Sequence, residues 1–355
     1  MGVNLRHGGN RQALADALGC RPSQLLDASA SLAPWSPRCP RLSEASLRDY
    51  PDREQGAMRK AIAAIHGVPP DWVLPGNGAA ELFTWAARDA AAAGVSGLLA
   101  PGFADYRRAL RCWGAEWVET PLGLSWDHPG PFNHPPLDGS VAWICNPHNP
   151  TGQLWSRSSL ESMLDRYGLV ICDEAFLPLV AEAEHQSMIG LVAKYPNLII
   201  IRSLTKLFGV AGLRVGYAIA QPNRLKRWQL WRDPWPVNGI AAALTEQWLG
   251  RPRRYERWCA RVQRWTTMEG VWMQRELARV PGITPMPSAA NFFLISGRRS
   301  LVPLREAMEH DHRILLRDCR SFAGLGETWL RIGLQSPRDN RRIVRALKQV
   351  QRLSC

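Results

Sequence analysis

Three short apolar runs constrain what this chain can fold into. Val141-Ala142-Trp143-Ile144-Cys145, Leu169-Val170-Ile171-Cys172 and Leu198-Ile199-Ile200-Ile201 show no polar alternation. A strand with one wet face alternates; a strand buried on both faces does not, and it belongs in a parallel sheet covered by helices. Helical patterns at 80–92, 106–112 and 158–167 and further strand patterns at 72–75, 96–100 and 116–119 surround these runs. The alternation over 70–220 predicts an α/β fold with a mostly parallel, doubly wound sheet. Beyond it, 224–232, 240–248 and 253–277 read as helices. The last carries Trp258, Val262, Trp265 and Trp272 on one side, the pattern of a domain seam. Strands near 291–295, 313–317 and 329–334 and a closing helix at 337–353 read as a smaller α/β lobe. The expected division is a large domain over 46–240 and a small one made of 1–45 and 241–355.

In such sheets ligands sit beyond the carboxyl ends of the strands. Each apolar run ends in polar residues there: Asn146-Pro147-His148-Asn149-Pro150-Thr151-Gly152 after the first, Asp173-Glu174-Ala175-Phe176 after the second, and Ser203-Leu204-Thr205-Lys206 after the third. Lysine is scarce, with five (Lys60, Lys194, Lys206, Lys226, Lys348) among 44 basic residues. A lysine amine can bond the aldehyde of a cofactor, and pyridoxal phosphate is the usual partner. Its phosphate would need donors, which Ser203, Thr205 and Arg214 offer. Gly76-Asn77-Gly78-Ala79-Ala80, opening a helix, has the form of a phosphate site at a helix N-terminus. Asp173 suits either a protonated ring nitrogen or a helix cap.

The formal charge of +13 raises the question of nucleic acid. The arginines are dispersed, however, and no zinc-finger or RNP pattern accompanies them, so the charge fits a solvated surface and an anionic substrate. No apolar run approaches the roughly 20 residues that cross a bilayer, and the N-terminus lacks an apolar signal core. The expectation is a cytoplasmic protein without a membrane or nucleic-acid partner. Eight cysteines stand singly, with no metal-ligand spacing, and no metal site is expected.

Taken in order, Gly76-Asn77-Gly78, the 146–152 loop, Asp173-Glu174-Ala175-Phe176, Ser203-Leu204-Thr205-Lys206, Arg214 and Arg331 resemble the fold-type I, pyridoxal-phosphate-dependent class I/II aminotransferase superfamily over essentially the whole chain. His7-Gly8-Gly9-Asn10, Arg317-Asp318-Cys319 and Phe176 resemble its threonine-phosphate decarboxylase branch of cobalamin biosynthesis; histidinol-phosphate aminotransferases are similar throughout the large domain. The resemblance implies pyridoxal 5'-phosphate bonded to Lys206, with Asp173 on the pyridine nitrogen, Asn149 on the ring hydroxyl and Tyr106 stacked on the ring. Gly78, Ala79, Ser203, Thr205 and Arg214 would hold the cofactor phosphate, joined by Tyr50 from the other subunit of a homodimer with shared active sites. Arg331 would take the substrate carboxylate, and His7 and Arg317 the phosphate of a small phosphorylated amino acid. The implied reaction is decarboxylation of L-threonine O-3-phosphate, with histidinol phosphate transamination or O-phosphoserine decarboxylation as alternatives. Where the branch tends to read Asp-Phe-Ser-x-Asn-Ile-Asn-Pro, this chain reads Asp27-Ala28-Ser29-Ala30-Ser31-Leu32-Ala33-Pro34. Both asparagines are gone, and Ser31 is the expected replacement for one.

Overall fold

A computed structural model of the chain describes residues 8–39 and 43–353. Its strands, numbered along the chain, are β1 (Leu26–Asp27), β2 (Val73–Asn77), β3 (Ser96–Ala100), β4 (Trp117–Pro121), β5 (Val141–Cys145), β6 (Leu169–Asp173), β7 (Leu198–Ser203), β8 (Val215–Ile219), β9 (Ile283–Pro285), β10 (Phe292–Gly297), β11 (Ile314–Leu315), β12 (Arg317–Asp318) and β13 (Trp329–Gly333). The central sheet has seven strands in the order β2-β8-β7-β6-β5-β3-β4. Pairs from β7 to β4 are parallel, and β8 runs antiparallel to both its neighbours. The fold is therefore α/β with a mostly parallel sheet. Val215–Ile219 has no strand reading in the sequence because it leaves the loop at Arg214 without turn residues to mark its start.

The apolar runs lack alternation because both faces of the sheet are covered. Trp143, Ile171, Ile199 and Ile201 pack under helices Gly78–Ala93, Ala104–Arg111 and Pro222–Trp231. Their neighbours Ile144, Val170, Cys172 and Ile200 enter a larger core with helices Gly56–His66, Gly239–Leu249 and Pro252–Leu277. A second, antiparallel sheet has the order β12-β13-β10-β9, and β1 pairs in parallel with β11. The tryptophan-bearing helix Pro252–Leu277 joins these parts: Trp258 Nε1 donates to the carbonyl of Leu207 at 3.0 Å, and Trp265 Nε1 to that of Gln335 at 3.0 Å.

One buried ion pair ties the ends of β6 and β7 together. Arg202 is 1% exposed and Glu174 fully buried. The guanidinium donates to Glu174 Oε2 at 2.9 and 2.6 Å, to both oxygens of Glu184, and to Ser187 Oγ; Glu174 Oε1 accepts from the Met188 amide. The set is worth little against an apolar replacement of the whole, but loss of one member strands a charge in the interior. Glu174 follows Asp173, and Arg202 precedes Ser203, so the pair fixes the two strand ends that carry the site. Arg202→Met is expected to lower unfolding stability by about 3–5 kcal/mol in urea titrations; a loss under about 1 kcal/mol would show that the pair does not hold these ends.

Candidate active site

The carboxyl ends of β5, β6 and β7 open into one cavity of about 220 Å3. Asn149, Asp173, Ser203, Thr205 and Lys206 line it from the large sheet. Arg317 and Arg331, from β12 and β13, line it from the small one.

Asp173 is 4% exposed. Its Oδ2 accepts from the Tyr106 hydroxyl at 2.7 Å and its Oδ1 from the Ala175 amide at 2.9 Å. Burial pushes the carboxyl up to about 6, against the pull of these two donors. Lys206 follows one turn into the short helix Leu204–Phe208. Burial, and after it the charge of Arg331, brings its amine down to about 8; Asp173 opposes them. A lowered lysine is a better nucleophile near neutral pH because more of it is unprotonated.

An anion cradle lies beside the lysine. The Ser203 and Thr205 hydroxyls are 2.7 Å apart, and Ala79 and Ala80 bring the N-terminus of the 16-residue helix Gly78–Ala93 to the cavity, where unpaired amides and the helix dipole favour negative charge. Gly78 has φ +75°, and a Cβ there would come 2.6 Å from Arg214 Nη2. Only glycine lets the guanidinium lie this close to the helix start. Arg214 itself has φ 55°, a left-handed conformation that costs a non-glycine residue on the order of 1–3 kcal/mol.

On the other side, Arg331 is 6% exposed and stacks 4.9 Å over Phe292. It donates to Asn149 Oδ1 and, at 3.0 Å, to the carbonyl of Ser29; its Nε has no partner among the described residues. Burial, then the charge of Arg317, lowers it to about 10. Arg317 stacks 4.9 Å over Phe322 and donates to Ser321 Oγ at 2.6 Å.

The residues expected to share a site thus fall into three groups. Lys206, Asp173, Asn149, Ala79, Ser203, Thr205, Arg214, Ser31, Arg317 and Arg331 all line the cavity, with Gly78 packed behind Arg214. Tyr106 does not line it. Its ring is caged by Phe83, Phe103 and Trp143 at 5.1–5.5 Å, and its hydroxyl is taken by Asp173. Phe103, one turn earlier, lines the cavity where Tyr106 does not. Tyr50 is 79% exposed, stacked on Trp235 with centroids 4.4 Å apart, and takes no part in its own chain's cavity. His7 lies outside the described residues.

The family model for aminotransferases of class I and II matches residues 24–347. The chain belongs to this family. It is 32% identical to the threonine-phosphate decarboxylase of Salmonella typhimurium, over 98% of this chain and 97% of that protein. It is 33% identical to the histidinol-phosphate aminotransferase of Symbiobacterium thermophilum, over 87% of this chain and 84% of that one. The crystal structure of L-threonine-O-3-phosphate decarboxylase from Porphyromonas gingivalis superposes with a TM-score of 0.74 at 25% identity, covering 86% of this chain and 92% of that one. Aminotransferases of this family depend on pyridoxal 5'-phosphate, and so does this member.

The cavity fits that cofactor. It offers an amine lowered by burial, a buried carboxylate at the end of a parallel strand, and a helix N-terminus with two hydroxyls and a guanidinium. Apo protein is expected to take up pyridoxal phosphate at a rate that rises as pH passes through about 8 and levels above it. A lysine of ordinary pKa, about 10.4, would keep accelerating well beyond that point. Stopped-flow absorbance of the apo protein decides between them, and Lys206→Ala should leave no covalently held chromophore.

Proposed function

We propose that the protein removes CO2 from L-threonine O-3-phosphate to give (R)-1-aminopropan-2-yl phosphate. The observation that carries this reading is the pairing of Arg317 and Arg331 in one cavity. Threonine phosphate presents two anionic ends at once, a carboxylate and a phosphate, and two guanidinium groups match them. Histidinol phosphate presents one; the dicarboxylate partner of a transaminase presents two. The similarity to the Salmonella decarboxylase, extending over nearly the whole length of both chains, supports the same choice.

When bound, pyridoxal phosphate supplies an electron sink for the pair left on Cα as the carboxylate departs. The chain's own residues do the rest. Asp173 holds a proton on the ring nitrogen by remaining ionised. Arg331 takes the carboxylate and Arg317 the phosphate, with His7 proposed beside it. Two fixed ends set the rotation about the Cα–N bond, which decides which Cα substituent stands perpendicular to the ring. Lys206, once free of the cofactor, would supply the proton that replaces the departed carboxylate on Cα; an amine near 8 both carries and releases a proton close to neutrality. Tyr50, exposed on its own subunit, is proposed to reach the cofactor phosphate of a second copy in a homodimer.

The 33% identity to a histidinol-phosphate aminotransferase supports a second reading, in which the Cα–H bond is the one that breaks. O-phosphoserine differs from threonine phosphate by one methyl group, worth only about 1–3 kcal/mol of discrimination. Incubation with each compound separates these readings. Release of CO2 from threonine phosphate without 2-oxoglutarate is expected, whereas turnover that requires 2-oxoglutarate and histidinol phosphate would overturn the proposal. Arg317→Ala is expected to raise KM for threonine phosphate by roughly 10–100-fold, the cost of a lost charged hydrogen bond, with little effect on unphosphorylated threonine.

A further inference from the structure

The small-residue segment from Asp27 to Pro34 crosses the cavity and is bonded at both ends to groups that matter. The Ala28 carbonyl accepts from the Gly333 amide at 2.7 Å, just past Arg331 on β13, and the Ala33 amide donates to the Lys206 carbonyl at 3.0 Å. Between these ties Ser29 makes three connections. Its carbonyl accepts from Arg331 Nη2 at 3.0 Å. Its hydroxyl donates to Asp27 Oδ1 at 2.5 Å and accepts from the Gly9 amide at 2.9 Å. Asp27 Oδ1 also accepts from the amides of Ser29 and Ala30, at 3.0 and 3.3 Å, which fixes the bend of the segment. Gly8 touches the same residue closely: a Cβ on it would lie 2.4 Å from the Ser29 carbonyl oxygen. Gly8, Ser29, Ala30 and Ser31 all line the cavity.

We infer that Ser29, held by Asp27, is a positioning residue that keeps Arg331 and the Gly8–Gly9 strap in register across the substrate cavity. Its backbone oxygen orients the guanidinium, and its hydroxyl anchors the strap, so the two walls that meet the substrate share one support. Small side chains follow from this geometry. The Gly333 position tolerates no Cβ, which would lie 2.7 Å from the Ala30 carbonyl oxygen. The Ser31 hydroxyl is buried in the cavity wall with no partner among the described residues. The segment therefore carries polar atoms into the cavity wall, placed by the Asp27–Ser29 bend.

This inference rests on Arg331 meeting a substrate carboxylate, which holds for threonine phosphate and equally for the amino-acid donor of an aminotransferase. The experiment uses the holoenzyme with whichever of these substrates it turns over, so failure of the decarboxylase reading leaves it intact. Ser29→Ala is expected to raise KM by about tenfold, the scale of one buried hydrogen bond and its unpaired partner, while kcat changes less than threefold and the affinity for pyridoxal phosphate stays within twofold. Hydrogen exchange of the peptide spanning Gly9 should accelerate in the same variant. If Ser29→Ala does not fold, Asp27→Ala removes the acceptor that holds the Ser29 hydroxyl and should reproduce the KM rise. Where both fold, the double variant should show less than the product of the two effects. An unchanged KM in either variant with unchanged exchange, full multiplication of the two effects, or equal loss of cofactor affinity overturns the inference.

Discussion

Four cationic side chains share one cavity, and most of what surrounds them follows from that. Lys206, Arg214, Arg317 and Arg331 line it. Of the two carboxylates there, Asp105 is already paired with Arg108. Burial first, and like charges after it, lower Lys206 and Arg331. Arg331 is held by an amide oxygen, a backbone carbonyl and the face of Phe292. Neutral partners orient a guanidinium without cancelling its charge, which stays available to an incoming anion. A cavity built this way favours bound anions.

Such a concentration of charge needs a rigid frame. The parallel core of the sheet brings three loops to one edge, and the buried Glu174–Arg202 pair clamps the two strands on which Asp173 and Lys206 ride. Helix Pro252–Leu277 extends the frame to the small sheet, where its tryptophans bond the Leu207 and Gln335 carbonyls on either side of the seam. The site therefore lies at the meeting of two sheets, and the Asp27–Pro34 segment bridges them directly above it.

Much of this could be read from residue order. Apolar runs without alternation require burial on both faces, and the polar residues that end them must emerge at one edge of a parallel sheet. Asp173, Asn149, Lys206 and the Ser203–Thr205 pair follow from that rule. The rule does not separate two candidates of the same chemistry one helical turn apart. Phe103 and Tyr106 both flank the start of helix Ala104–Arg111, and only the seating of that helix on β5 and β6 turns Phe103 to the cavity and Tyr106 to Asp173. Arg202 escaped notice for a related reason. In a strand rich in isoleucine it reads as the first residue past the buried run, yet it is nearly inaccessible, because Glu174, Glu184 and Ser187 converge on it from distant positions.

By itself, then, the order of residues determined the α/β class, the strand ends that reach the cavity, and the lysine that stands among them. These are local consequences of burial and periodicity. The folded chain decided which aromatic faces the cavity, how far burial shifts Asp173 and Lys206, and how Ser29 comes to support Arg331 across 302 positions of sequence. Those outcomes depend on distances between elements remote in the chain, and no local pattern encodes such a distance.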